Sequence, residues 1–284
     1  MQKNYPLTPK RITHFVESGI HMKIETVKIK AAAGKYLPII KRYWIFYLIG
    51  SVIALVLKIF FSTADAGALD WILAPTALWV KTLSGIPFIR QGSAGYVSHD
   101  FQVMIAPSCS GVQFMMISFI TLLFSYVHRM RTVKRGVCWL ALSMGCSYLF
   151  TVFVNGFRII LAIPLLKLNS GGWMTPDRIH MLEGTAVYFV SLMILHQTAG
   201  AVLRKIAGLP KKHSNRILPV LCYLGITLGI PLVNRLYKNN NENFAEYALL
   251  LTAACLTICL IYGIIRYILM RFAERKGFGL GIRD

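Results

Sequence analysis

Residues 112–135 read VQFMMISFITLLFSYVHRMRTVKR, an apolar run closed by Arg129, Arg131, Lys134 and Arg135. A stretch of this kind, rising about 1.5 Å per residue, is long enough to cross most of a bilayer's hydrocarbon as a helix. The basic cluster behind it predicts a cytoplasmic anchor, because lysine and arginine accumulate on that side of a span. The reading decides the fold because similar blocks recur along the chain. The sequence is 56% hydrophobic and 15% charged, with mean hydropathy +0.57, outside the range of an ordinary soluble domain. Its balance of 31 basic against 11 acidic residues gives +20. Those bases fall in loops between apolar blocks, which argues against a nucleic-acid surface and for membrane topology.

Working outward, residues 43–61 predict a first span, with Lys58 snorkelling near its end. The leader 1–42 carries nine bases from Lys3 to Arg42 and reads as a cytosolic arm before an uncleaved span. Residues 68–84, interrupted by Asp70, Pro75 and Lys81, predict an interfacial or re-entrant helix. Residues 86–91 and 101–105 flank a stretch with Gly92, Gly95, Ser98 and Asp100, and predict a small extracytoplasmic strand–turn–strand.

Beyond the opening stretch, 136–154 predicts a return span ending before Asn155-Gly156-Phe157-Arg158. Residues 159–168, broken by Pro164, predict a separate short segment that dips in or lies at the interface, and 169–177 an outer loop. Spans follow at 179–199, 217–234 and 246–265, separated by bases at Arg204, Lys205, Lys211, Lys212 and Arg216 and by Asn239-Asn240-Asn241-Glu242-Asn243. The expected fold is therefore all-α: a polytopic bundle of about six spans with both termini cytoplasmic. Three regions are expected: a basic arm (1–42), a transmembrane core (43–200) and a C-terminal pair with a basic tail (201–284).

Three reactive side chains fall on the same predicted side. Cys109 lies in Ala106-Pro107-Ser108-Cys109-Ser110-Gly111, just before the span at 112. Ser108 and Ser110 are good N-cap residues, so the positive helix terminus would favour a thiolate there. Gly111 permits close approach of a substrate, and the first-turn amides offer donors to an oxyanion. Arg158, with Asn155 three residues before it, can hold an anion through a planar fork. His180 can take a thiol proton, and Glu183, one turn on, can orient the ring. Without chemistry, the same residues read as a small interfacial cysteine, a headgroup-binding arginine and a satisfied interfacial histidine. The other five cysteines lie in apolar runs, and Cys255 and Cys259 are not spaced as a redox pair. A zinc set of Cys109, His99 and His180 lacks ligand spacing, so neither metal nor cofactor is expected.

Taken in order, Pro107-Ser108-Cys109-Ser110-Gly111-Val112, Asn155-Gly156-Phe157-Arg158-Ile159 and His180 with Glu183-Gly184 resemble the exosortase/archaeosortase family of membrane cysteine transpeptidases. The resemblance covers residues 43–200. It implies Cys109 as nucleophile, Arg158 as stabiliser of the thiolate or oxyanion, and His180 as acid–base partner. It implies substrates that are secreted proteins ending in a short motif, a transmembrane helix and a basic tail. These would be cut at the outer face of the bacterial inner membrane and passed to an acceptor, with lipid and exopolysaccharide as candidates. Two competing readings stay open at this point. One is a non-enzymatic transporter or lipid flippase, and the other is an enzyme acting on polyprenyl lipids.

Overall fold

The computed structural model describes residues 41–100, 103–130, 132–166, 175–207, 217–238 and 244–275. Most of the basic arm, Phe101 and Gln102, most of the 169–177 loop, Lys211, Lys212, Arg216, the Asn239–Asn243 run and the tail from Lys276 lie outside them. The chain divides into two compact units at Leu48/Ile49. Of the first, residues 41–48 are described and are helical.

The helices are α1 (Lys41–Thr63), α2 (Asp70–Ser84), α3 (Val112–Tyr126), α4 (Val133–Leu166), α5 (Pro176–Ala207), α6 (Ile217–Lys238) and α7 (Phe244–Arg275). Five segments are long and apolar enough to cross a membrane: Lys41–Thr63, Pro107–Arg129, Val133–Leu165, Pro176–Ile206 and Phe244–Phe272. The apolar part of α6, Ile217–Val233, is shorter than these. A polytopic α-helical architecture follows from the solvent: in hydrocarbon a helix satisfies its own backbone, and few alternatives do.

In the second unit α3 is the central helix. Its span is 83% buried, against 11% for Phe244–Phe272. It packs on α4, α5 and α6, while α7 packs on α5 and α6. One apolar cluster joins Ile72, Leu73 and Val80 of α2 to Ile105, Val112, Met115 and Ile159. A second joins Phe114 and Ile117 of α3 to Val154, Phe189, Leu192, Tyr223 and Leu251. The expected interfacial helix is α2. Its buried residues Ile72, Leu73, Thr76, Ala77 and Val80 form one stripe, and Gly85 ends it in the left-handed region (φ 72°).

Two expectations are corrected. The strand–turn–strand is a three-stranded antiparallel sheet: β1 (Ile89–Gln91), β2 (Gly95–Ser98) and β3 (Val103–Ile105), in the order β1-β2-β3. The stretch read as turn holds the middle strand, because Gly92 (φ 45°) and Gly95 (φ 104°) confine the reversal to a few residues. Ile105 O crowds the place where a Gly95 Cβ would stand. The second correction concerns α4, which runs unbroken for 34 residues through Asn155, Arg158 and Pro164. There is no separate dip at 159–166. Pro164 lies inside the helix near its described end, where it costs one donor to Ile160 O without breaking the run, and the polar pair finds partners on other elements. Arg158 stands about 38 Å along α4 from Val133 at about 1.5 Å per residue. That distance exceeds the roughly 30 Å hydrocarbon core.

Candidate active site

Cys109 closes a single 3₁₀ turn, Pro107–Cys109, with its amide donating to Ala106 O at 2.8 Å. The helix starts at Val112 as expected, but its cap is Gly111 rather than a serine, with φ 76° and no side-chain cap bond. Passing from the 3₁₀ turn into α3 requires a left-handed residue, and glycine supplies it without strain. Ser110 is fully buried, and its hydroxyl has no partner among the described residues. Gly111 also permits contact with α4, because a Cβ there would lie 3.0 Å from Thr151 and 3.1 Å from Asn155.

That contact starts a relay. Asn155 Nδ2 donates to Cys109 O at 2.7 Å. Tyr188 donates its hydroxyl proton to Asn155 Oδ1 at 2.7 Å and accepts from Arg158 Nη1 at 3.2 Å. Arg158 Nη2 lies 2.6 Å from His180 Nε2. Arg158 Nε lies 3.5 Å from Glu183 Oε2, and His180 Nδ1 lies 4.0 Å from the same oxygen. The guanidinium carbon also sits over the Tyr188 ring at 5.2 Å, and that ring stacks on Phe114. The Cys109 side chain is within electrostatic range of both Arg158 and the Tyr188 hydroxyl. Residues from the 3₁₀ turn, α3, α4 and α5, up to 79 positions apart, thus form one connected group.

A guanidinium has only donors, so His180 Nε2 must be the acceptor of the 2.6 Å bond. The ring is therefore neutral, with its proton on Nδ1, on the side of Glu183. Arg158 is 8% exposed and the Glu183 side chain 6%, so this ion pair is buried. Neither Glu183 oxygen makes a hydrogen bond, and Arg158 Nε and His180 Nδ1 also lack one among the described residues. Gly184 allows this closeness, since a Cβ there would lie 3.0 Å from Arg158 Nε.

A cavity of about 330 Å³ opens at the group. Ser108, Gly111, Gln113, Arg158, His180 and Tyr188 line it, and α6 and α7 add Tyr223, Thr227, Tyr247 and Leu251. Ser108 and Gly111, on either side of Cys109, line it; Cys109 does not, and its side chain is half-buried. All the expected residues except the buried Ser110 hydroxyl therefore join the relay, flank Cys109 or border the cavity. Sequence reasoning missed Tyr188 and the wall from α6 and α7. The four-residue steps from His180 to Gly184 to Tyr188 put all three on one helix face, and that spacing was the available signal. Among the described residues no cluster of three or more histidine, cysteine or carboxylate side chains is placed to hold a metal.

No curated protein and no solved structure matches the chain. The family model described as transmembrane exosortase matches residues 35–196, more than half of the 284 residues. The match takes in the cysteine turn, the Asn155–Arg158 face of α4 and the His180–Tyr188 face of α5, and the chain belongs to the transmembrane exosortase family.

Proposed function

We propose that this chain is a cysteine peptidase and transpeptidase. It cleaves C-terminal sorting signals of secreted proteins at the outer face of the bacterial inner membrane and transfers the new carboxyl end to an acceptor, lipid or exopolysaccharide. The observation that carries the reading is the relay from Cys109 O through Asn155 and Tyr188 to Arg158 and His180. It fixes the backbone of a nucleophile relative to a cation and a neutral imidazole. The basic runs following α3 and α5 support cytoplasmic termini and an external site, with 43–200 as catalytic core and 201–284 as an accessory pair.

In the proposed reaction the Cys109 proton moves to His180 Nε2 and the sulfur attacks the scissile carbonyl. Nε2 is occupied by Arg158 at rest, so the guanidinium must swing away from it. The oxyanion forming at the carbonyl is the charge that draws the fork across. The C–N bond breaks, His180 returns the proton to the leaving amine, and a thioester remains. An acceptor amine or water then attacks that thioester and regenerates the thiol. Glu183, 4.0 Å from Nδ1 and 3.5 Å from Arg158 Nε, stands beside both groups as a counter-charge.

The test is a cell lacking other members of the family, supplied with a client ending in a motif, a hydrophobic helix and a basic tail. Cys109→Ala is expected to leave the client precursor uncut on an immunoblot while the variant inserts normally. Full processing by that variant would remove the nucleophile assignment. Insensitivity of wild-type activity to alkylation at Cys109 would favour a transporter or flippase instead.

A further inference from the structure

The family match stops at residue 196, yet the cavity continues into helices beyond it. Tyr223 and Thr227 of α6 and Tyr247 and Leu251 of α7 share it with Arg158 and His180. An ion pair between Arg178 and Glu246 ties the start of α7 to the start of α5, two residues from His180. The wall is therefore anchored at the reactive end of the bundle.

Its chemistry is one-sided. The Tyr223 hydroxyl donates to Thr185 O at 3.5 Å, and the Thr227 hydroxyl donates to the Tyr223 carbonyl. Those two residues leave a ligand ring and methyl surface, and Leu251 adds hydrocarbon. Among the described residues lining the cavity none is acidic, and the one permanent charge is Arg158, already engaged by Glu183 and Tyr188. A lysine side chain entering here would lose its water and meet a cation, while the nearest carboxylate, Glu183, is paired with Arg158 and does not line the cavity. An uncharged side chain would gain contact on every side. At about 330 Å³ the space is at the small end for ligand pockets and suits a side chain or two.

We propose that the C-terminal helix pair, which contributes no group to the relay, is the selectivity wall of the site: Tyr223, Thr227, Tyr247 and Leu251 admit an uncharged side chain of the acyl donor and turn away a basic one. The inference rests on the reading of Cys109 as nucleophile, and its test separates the two.

Purified full-length protein in detergent is given p-nitrophenyl esters of N-acetyl-leucine, N-acetyl-lysine and N-acetyl-tryptophan. The Cys109 sulfur displaces p-nitrophenolate to form the thioester, which water hydrolyses, so released p-nitrophenolate reports the rate. After subtraction of the Cys109→Ala background, wild type is expected to favour the leucyl over the lysyl ester by about tenfold or more in kcat/KM, since specific contacts discriminate on that scale. Thr227→Glu places a carboxylate in the wall and is expected to cut that preference by about tenfold. Tyr247→Ala opens the wall and is expected to raise the tryptophanyl-to-leucyl ratio by about threefold, and it decides the matter if the glutamate variant does not fold. A wild-type leucyl-to-lysyl ratio near one, or unaltered ratios in the folded variants with Cys109-dependent turnover, would overturn the wall and leave the nucleophile standing. Equal turnover by Cys109→Ala would overturn the nucleophile, and the wall with it.

Discussion

The two ends of the central helices α3, α4 and α5 carry polar clusters of different construction. At the end away from Cys109, Tyr126 donates to His196 O at 2.5 Å and Trp139 Nε1 donates to Leu122 O at 3.2 Å. Tyr126 stacks on His196, meets Trp139 edge-on and lies under Arg129. Gly200 makes room for the Tyr126 hydroxyl there as Gly184 makes room for Arg158 at the other end. Both distal bonds end on backbone carbonyls, which do not titrate. Beyond the bond from Asn155 to Cys109 O, the bonds near Cys109 run between side chains, leave the buried Arg158–Glu183 ion pair short of hydrogen bonds, and border a cavity. A network closed on the backbone pins helices together. One that ends in a charged, incompletely satisfied cluster keeps the capacity to rearrange when a ligand brings new charge.

Substitutions at matched positions can break or sharpen this contrast. The largest effect is expected from Arg158→Lys, which keeps the charge and removes the fork that reaches Tyr188, His180 and Glu183 together. Client processing should fall by about a hundredfold or more, the scale seen when an oxyanion donor is lost. Processing within about twofold of wild type would make Arg158 a structural residue on that same scale.

Tyr188→Phe comes next. It removes the hydroxyl joining Asn155 to Arg158 and retains the ring stacked on Phe114. Turnover should drop by about ten- to a hundredfold, as expected when a reacting group shifts by about an ångström. The rate of Cys109 alkylation should change as well, because the residue acts by positioning. A drop in thermal stability with unaltered alkylation and turnover would assign it to packing alone.

The smallest effect is expected at the distal end. Tyr126→Phe loses its bond to His196 O and should cost about 1 kcal/mol of stability. That is readable as a lower thermal midpoint in detergent, with processing by the folded protein unchanged. A loss of processing comparable to that of Tyr188→Phe would mean that the two clusters are coupled through α5, and the contrast drawn between them would fail.

The segments most misjudged from the sequence are instructive. Asn155 and Arg158 look like the end of a span because a hydropathy window sees only their own polarity. Their partners Tyr188, His180 and Glu183 lie 22–33 positions away, on a helix the window does not contain. The middle strand Gly95–Ser98 was hidden for a related reason: four residues bounded by glycine and serine carry little pattern until β1 and β3 pair with them. By contrast, the meeting of Arg158 with His180 was anticipated, because each occupies a polar motif beside an apolar block.

What the sequence determined by itself is the helical, polytopic character of the chain and the spacing that puts Asn155 with Arg158, and His180 with Glu183, on shared helix faces. These follow from each segment alone, since hydrocarbon compels a long apolar stretch to satisfy its backbone internally and helical periodicity fixes neighbours three and four apart. Packing between helices decided that Tyr188 bridges the motifs, that Gly111 admits Asn155 and Gly184 admits Arg158, and that α6 and α7 wall the cavity. Such pairings depend on how helices far apart in the chain pack against one another, and nothing within a single span specifies its neighbour.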